Sequence, residues 1–213
     1  MRRFLRALIL LHRTFRSLPA GPRMHVLVRF LTCPFLAIAD RVPSGASVLD
    51  LGAGHGIFAR LAGDRGASRV VAVEPDLRKA LPPIPMDRVS FVAGYDDCLR
   101  GAFDVVVIVD VLYKIPREEW DALLTRIAAR VKPGGLLLLK EHDPTARIKH
   151  GWNRLQEWLN SRFLGITLGT AFSYERPIAI RARLEQHGFG DVEAKRIDFG
   201  YPHPHILYVA RRV

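Results

Sequence analysis

Cysteine is scarce in this 213-residue chain, and long apolar runs are lacking. The two cysteines, Cys33 and Cys98, lie far apart in the sequence, and neither has a metal-ligand spacing to a histidine. We therefore expect no disulfide framework and no metal site, in a reduced, cytoplasmic setting. No apolar run is long enough to cross a bilayer. Arg6 also limits the first apolar stretch to residues 7–11, which is too short for a signal peptide.

Acidic residues are outnumbered by basic ones, 21 to 32, which gives a formal net charge of +11. Residues 1–41 carry eight arginines against Asp40 alone, a net of +7, whereas residues 42–213 carry only +4. This segment is also amphipathic on a helical wheel. We predict a basic helical extension over residues 1–41 and a globular domain over 42–213. The apolar side of the first helix comprises Phe4, Leu8, Leu11, Phe15 and Leu18, opposite Arg2, Arg6, Arg13 and Arg16.

The extension has three interpretations. It could pack on the domain as a lid over a substrate site, with its arginines in solvent. Residues 2–18 could instead lie on an anionic membrane surface, as basic amphipathic helices do. The third alternative is an RNA-binding arm, in which the arginines contact phosphates.

A glycine-rich turn is the strongest motif of the chain. Asp50 lies within an otherwise apolar stretch, residues 48–51. Glycines at every second position follow it, and an apolar segment resumes at Ile57. A second apolar run, residues 70–73, ends on Glu74. This pattern predicts a strand, a tight turn and a helix, with a carboxylate at the tip of the next strand. Such a carboxylate can accept both hydroxyls of a ribose, so the motif indicates a nucleoside site.

The position of Asp50 decides which nucleoside is favoured. A dinucleotide fingerprint offers a helix start to a pyrophosphate, which Asp50 would repel, whereas the ammonium of an amino-acid moiety would pair with it. At this point the chain resembles the class I S-adenosylmethionine-dependent methyltransferases. The resemblance implies that S-adenosylmethionine is the cofactor. It assigns the cofactor to Asp50, Gly52, Ala53, Gly54, Gly56, Glu74 and Pro75.

Later segments follow the order of the same family. Residues 88–92, 103–110 and 136–139 are predicted strands, with a helix over 116–130. The resemblance places Asp96 or Asp97 near the adenine and Asp110 at the cofactor. A helix over 177–187 and strands over 192–199 and 205–211 complete the pattern. The predicted fold is α/β, a Rossmann-like, doubly wound, seven-stranded sheet, mostly parallel with the last strand antiparallel.

The acceptor side is less specific. His142 at a strand tip is the first candidate for a general base, because histidine titrates near neutrality; Tyr113 could position an acceptor. An amphipathic helix over 147–163 with Trp152 and Trp158 adds apolar surface. We therefore predict methyl transfer to a small or lipid-like hydrophobic acceptor. The alternatives are an RNA methyltransferase that uses the basic arm, and a non-catalytic S-adenosylmethionine-binding protein; nucleic acid is the less favoured partner because the domain itself is only mildly basic.

Overall fold

The computed structural model describes residues 1–76, 78–79, 86–94, 101–144 and 173–213. Its strands are β1 Ser47–Leu51, β2 Arg69–Glu74, β3 Val89–Ala93, β4 Phe103–Val109, β5 Val131–His142, β6 Phe189–Arg196 and β7 His205–Arg212. Its helices are α1 Arg2–Phe15, α2 Ala20–Thr32, α3 Phe35–Ala39, α4 Ile57–Asp64, α5 Trp120–Arg130 and α6 Pro177–Gln186, with 3-10 turns at Leu112–Lys114 and Arg117–Glu119.

Within these residues the strands form a seven-stranded sheet in the order β3-β2-β1-β4-β5-β7-β6. The inner strands β1, β2 and β4 are buried almost throughout, as their valine and leucine content predicts. Val48 of β1 lies between Val70 and Val105 in parallel register. The parallel strands therefore end at one edge of the sheet, where ligands of open α/β sheets bind.

The C-terminal strands form the predicted hairpin. β7 is antiparallel to both β5 and β6, with Leu139 opposite Tyr208. β6 consequently runs in the same direction as the parallel strands. The predicted fold class, mostly parallel with the last strand antiparallel, is confirmed.

Several boundaries differ from the sequence-based expectations. The helix expected from residue 116 begins at Trp120, because Pro116 is extended and a 3-10 turn intervenes. The strand expected over 192–199 lies at Phe189–Arg196 and starts directly after Gly188, where a φ of 79° ends the preceding helix. β5 starts at Val131, since this residue already pairs with Phe103. The helix predicted over 147–163, with Trp152 and Trp158, lies outside the described residues.

The N-terminal helices share the hydrophobic core of the sheet. Leu11 and Phe15 of α1, together with Val26 and Phe30 of α2, are buried in the same cluster as β1 and α4. Phe4 remains 43% exposed although its ring stacks on Phe30 at a centroid distance of 5.4 Å. The arginines expected on the outer side of α1 are exposed, and Leu8 and Leu18 are half-buried. The domain boundary at residue 42 stays a prediction.

The two N-terminal helices lie at different places on the domain. Arg6 of α1 pairs with Asp64 at the end of α4, with a nitrogen–oxygen distance of 3.0 Å. α2 contacts the carboxyl ends of the strands, where the Thr32 carbonyl oxygen lies 2.8 Å from His205 Nε2. α2 therefore lies over that edge, whereas Arg6 of α1 lies beside the end of α4, and the role of the extension as a lid stays a prediction. No helix within the described ranges combines the length and the hydropathy that crossing a bilayer requires.

Candidate active site

The chain leaves β1 through three glycines with positive φ. Gly52, Gly54 and Gly56 have φ values of 71°, 57° and 80°, a region that side chains with a Cβ adopt only at a cost. A Cβ on Gly52 would lie 2.4 Å from Val111, and one on Gly56 would lie 2.2 Å from the Phe91 ring. Among the described residues, a Cβ on Gly54 would meet no atom within 4 Å. Gly54 therefore borders open space, in which a ligand can approach the backbone closely.

Asp50 presents an unsatisfied carboxylate oxygen beside this turn. Its side chain is 2% exposed, and Oδ2 has no hydrogen-bond partner within the described part of the chain. Burial raises the pKa of Asp50 to about 7, the charge of Glu74 adds to this, and the Ala59 backbone N–H opposes it. A cation beside Oδ2 would pair with this oxygen and lower the pKa again. The ammonium of an amino-acid ligand meets that requirement.

Glu74 connects the tip of β2 to the glycine turn. Oε2 accepts a hydrogen bond from the Gly54 backbone N–H at 2.7 Å, and Oε1 accepts one from the Asp76 N–H at 3.0 Å. Each carboxylate oxygen keeps a second lone pair that a ribose hydroxyl can use. Pro75, the next residue, is exposed and extends the strand tip into solvent. The residues present therefore fit a ligand with a ribose at one end and an ammonium at the other.

α2 packs against the glycine turn. The rings of His25 in α2 and His55 in the turn lie with their centroids 5.6 Å apart. Burial is the main reason that the pKa of His25 falls to about 4 and that the pKa of His55 is also lowered. Both imidazoles are consequently neutral at physiological pH, so they add no positive charge beside Asp50.

A buried charge cluster closes the end of β4. Asp110 adopts an uncommon φ of 58°, and its carboxylate accepts a hydrogen bond from Arg29 Nη1 of α2 at 2.8 Å. It also pairs with Lys140 of β5, and both of these side chains are fully buried. Burial alone would raise the pKa of Asp110, but Lys140 and Arg29 together hold it well below its ordinary value. This charge cluster, Asp110, Lys140 and Arg29, fastens α2 to the centre of the sheet.

Glu141 supports the turn that follows β4. Its Oε1 accepts hydrogen bonds from the backbone N–H groups of Val111 at 3.2 Å and Leu112 at 2.8 Å. Its Oε2 is buried without a hydrogen-bond partner within the described ranges. Burial, followed by the charge of Asp110, raises the pKa of Glu141 to about 8. A cavity of about 10 Å³ beside it is lined by Tyr113 and Tyr208 among others and can hold one water.

Aromatic rings assemble next to the charge cluster. The Tyr113 ring lies 5.3 Å from His142 and stacks on Tyr174 at 5.5 Å. His142 in turn lies 5.9 Å from His203 and 5.6 Å from His205, all between ring centroids. We call these five residues the aromatic cluster. Tyr113, His142, His203 and His205 lie at or beside the ends of β4, β5 and β7, and Tyr174 precedes α6, so the cluster lies at the edge where the parallel strands end.

Two histidines of this cluster, His142 and His205, are neutral. Burial lowers the pKa of His142 well below its ordinary value and that of His205 to about 3. The Thr32 carbonyl can only accept, so His205 carries its proton on Nε2. His142 Nε2 lies 3.5 Å from Asp110, which favours the proton on the same nitrogen. The Nδ1 atoms of both rings are buried without a described partner, and each is therefore a proton acceptor.

The structure groups the predicted site residues at two adjoining places. Asp50, Gly54 and Glu74 lie together at the ends of β1 and β2, and Tyr113 lies beside His142 at the ends of β4 and β5. The carboxylate of Asp110 lies in the charge cluster. Asp96 and Asp97 lie outside the described residues. The roles assigned to all of these side chains stay predictions.

Three charged residues of this region were not predicted. A lysine after four leucines in β5 is a signal for a buried ion pair, which Lys140 makes; Arg29 offers no comparable local signal. The third is the buried Asp76, and hydrogen bonds from Arg78 are the main reason that its pKa is well below the ordinary value.

Among the described residues, no group of three His, Cys, Asp or Glu side chains is arranged to hold a metal ion.

A family model described as a methyltransferase domain matches residues 25–194. The chain belongs to the class I S-adenosylmethionine-dependent methyltransferases. The predicted enzyme class is thereby confirmed, and S-adenosylmethionine is the cofactor of the family. The match begins inside α2, so the methyltransferase family model includes part of the helical extension.

Curated relatives of this methyltransferase are only partly aligned with it. A ribosomal protein L11 methyltransferase of Burkholderia mallei is 35% identical over 106 residues, which cover 48% of this chain and 34% of the relative. The corresponding protein of Paraburkholderia xenovorans is 30% identical over 130 residues, covering 57% and 42%. The chain thus spans about a third to two fifths of the length of these relatives.

Solved structures share the fold over most of the methyltransferase. The methyltransferase in complex with the Haloferax volcanii Trm112 activator superposes with a TM-score of 0.70 at 17% identity, covering 94% of this chain and 96% of that one. Human N-acetylserotonin methyltransferase in complex with S-adenosylmethionine gives a TM-score of 0.67 at 19% identity, covering 95% and 59%. At these identities the likeness concerns the fold.

Proposed function

We propose that this methyltransferase transfers the methyl group of S-adenosylmethionine to a small or lipid-like hydrophobic acceptor. The observation that carries the cofactor assignment is the open space at Gly54, whose backbone N–H is bonded to Glu74 and whose turn follows the unsatisfied carboxylate of Asp50. Asp50 would pair with the ammonium, Glu74 would accept the ribose hydroxyls, and the backbone of the glycine turn would border the ligand. S-adenosylmethionine supplies an activated methyl group on a sulfonium sulfur.

The aromatic cluster supports the proposal of a hydrophobic acceptor. The rings of Tyr113, Tyr174 and His142 pack on one another at the strand ends, and Val111, two residues before Tyr113, lies against the glycine turn at Gly52. Stacked rings bind flat or apolar groups, and the neutral imidazoles add hydrogen-bonding atoms without adding charge. The fully buried Asp110 and Lys140 balance each other's charge, and the second cation of the charge cluster, Arg29, is bonded to the same carboxylate. An uncharged acceptor with an apolar body suits these surroundings better than a polyanion.

His142 and Tyr113 have distinct tasks in this proposal. When bound, S-adenosylmethionine would supply a methyl group to the acceptor atom, and the electron pair of the broken carbon–sulfur bond would stay on sulfur. An oxygen or nitrogen acceptor must then lose a proton, which His142 takes on Nδ1. Nε2 faces Asp110, whose negative charge partly offsets the burial and the charge of Lys140 that together lower the pKa of His142. The Tyr113 ring positions the acceptor, since alignment of the two reacting atoms supplies much of the acceleration.

Lipid-like acceptors concentrate at membranes, and we propose a cytoplasmic protein that contacts the inner membrane surface. RNA and protein are the two alternative acceptors, and we include both in the test although we favour neither. RNA would need basic residues around the site, whereas the arginine excess lies in residues 1–41. A protein acceptor is suggested by the names of the curated relatives, but those alignments leave most of each relative unmatched.

The cofactor half is tested by calorimetric titration with S-adenosylhomocysteine, with NAD as the control ligand. We expect micromolar binding of the first and none of the second. Binding of NAD alone, or of neither ligand, would contradict the cofactor assignment.

The acceptor half is tested with labelled S-adenosylmethionine offered in parallel to a lipid extract, total RNA and ribosomal protein. We expect label in the organic-soluble fraction. Label confined to protein or RNA would overturn the acceptor class, and cofactor binding without transfer to any fraction would favour the non-catalytic alternative. His142→Gln should lower kcat and leave the affinity for S-adenosylhomocysteine unchanged; a variant with wild-type kcat would remove His142 from the mechanism.

A further inference from the structure

The outer side of α2 carries an apolar stripe that faces solvent. Met24, Leu27, Val28 and Leu31 recur at the spacing that normally marks the buried face of a helix, yet each is 38–60% exposed. The inner side of α2 is made by other residues, with Val26 and Phe30 buried against the domain. The stripe is therefore not needed for the hydrophobic core, and it has no apolar cover within the described residues.

α1 extends this apolar surface. Phe4 stacks on Phe30 of α2 while much of its ring stays exposed, and Leu5 and Ile9 are about half exposed on the solvent side of α1. Monomeric soluble proteins rarely expose so many large apolar residues together, and such surfaces mark interaction sites. The N-terminal face consists of Phe4, Leu5, Ile9, Met24, Leu27, Val28 and Leu31.

Arginines surround the N-terminal face. Arg13 and Arg16 share the solvent side of α1 with Ile9, and Arg23 lies at the start of α2. All three are exposed, and residues 1–41 carry a net charge of +7. A second copy of this chain would bring the same positive charge against it. An anionic partner with an apolar interior complements both the charge and the exposed side chains.

We propose that the N-terminal face docks on an anionic lipid bilayer. Leucine, isoleucine and methionine side chains enter the boundary between headgroups and acyl chains, and the arginines contact the lipid phosphates. This deepens the membrane contact of the proposed function, because it names the residues and the lipid charge. It also moves the contact from α1 alone to α1 and α2 together.

Docking through α2 brings the bilayer close to the candidate active site. Arg29, on the inner side of the same helix, holds Asp110, and the Thr32 carbonyl holds His205. A lipid-like acceptor that leaves the bilayer beside α2 therefore arrives at the end of the sheet that carries the aromatic cluster. One helix separates the lipid from the site of transfer.

The test is sedimentation of the full chain with vesicles of phosphatidylcholine, with and without phosphatidylglycerol. We expect binding only when phosphatidylglycerol is present. Leu27→Asp with Leu31→Asp should weaken binding at least about tenfold, and Arg13→Gln should weaken it about fivefold. The matched control is Ile178→Asp, an exposed apolar residue of α6 outside the N-terminal face, which should bind vesicles as the wild type does.

Three outcomes would overturn the proposal. These are no vesicle binding, equal binding to both vesicle types, and equal loss in the double variant and in Ile178→Asp. If the double variant instead abolishes a dimer seen by sedimentation velocity while vesicles are not bound, the face belongs to a second copy. Vesicle binding requires neither cofactor nor acceptor, so its failure is separable from a failure of methyl transfer. Titration with S-adenosylhomocysteine confirms that each variant is folded.

Discussion

The substitution Gly54→Val separates the cofactor site from the fold, because its two costs can be estimated independently. A left-handed backbone costs a residue with a Cβ about 1–2 kcal/mol. A Cβ at this position meets no atom of the described residues within 4 Å, so its addition brings no clash with them. Stability should therefore fall by this backbone cost alone, which lowers Tm by about 2–4 °C per kcal/mol in a chain of this size.

The cost to ligand binding is much larger. The valine occupies the space between Asp50 and Glu74 that the ligand requires, so we expect the affinity for S-adenosylhomocysteine to fall at least about a hundredfold, or about 2.8 kcal/mol. The matched control is Gly45→Val. Gly45 has a φ of 79°, and a Cβ there also has nothing within 4 Å, but it precedes β1 at the opposite end of the sheet.

Calorimetry measures the ligand affinity and thermal unfolding measures the stability of wild type, Gly54→Val and Gly45→Val. Together they distinguish an effect on the cofactor site from an effect on the fold. The two variants should lose similar stability, and Gly54→Val alone should lose binding. If Gly54→Val binds like the wild type, the open space is not the cofactor site. If both variants lose binding equally, the effect belongs to the fold.

Three further outcomes are expected. Glu74→Ala should weaken S-adenosylhomocysteine binding about ten- to hundredfold, since a charged hydrogen bond contributes about 1.5–3 kcal/mol; unchanged affinity in calorimetry would contradict its role. Asp110→Ala leaves the buried Lys140 unpaired and should lower the free energy of unfolding by about 3–5 kcal/mol in urea titrations, and a loss below about 1 kcal/mol would show that the charge cluster contributes little. The folded-state pKa of Asp50, about 7, lies above its ordinary value of 3.8, so its stabilising effect is complete at low pH and is lost as pH rises through 7. The stability of wild type relative to Asp50→Asn should therefore decline over this range, whereas a difference independent of pH would refute the raised pKa.

The local parts of the site were predictable from sequence. The turn after Asp50 and the position of Glu74 follow from short-range rules: glycines permit the turn, and an apolar run ends on a carboxylate. The structure adds that Glu74 holds the Gly54 N–H, a contact between residues 20 apart that joins two strand ends. The parallel direction of the inner strands was predictable for a similar reason, since buried valine-rich runs between helices specify a parallel sheet.

Long-range contacts were not predictable in this way. Arg29 and Asp110 are 81 residues apart, and no periodicity links an arginine of a basic extension to a strand end. The apolar stripe of α2 contradicts the usual rule, because its helical spacing is typical of a core-facing side. The buried side of α2 is instead determined by its contacts with the rest of the domain. These are the His55 ring, the Asp110 carboxylate and the apolar cluster that includes α4.

The pairing of Lys140 and Arg29 with one carboxylate has an evolutionary consequence. Loss of Asp110 alone would leave two unpaired cations at the ends of β4 and β5, one of them fully buried. Replacing all three residues by apolar ones would lower the free energy of unfolding much less. Intermediate sequences are therefore disfavoured. Among related chains that keep α2, we expect positions 29, 110 and 140 to change together or not at all, so that the charge cluster is inherited as a unit.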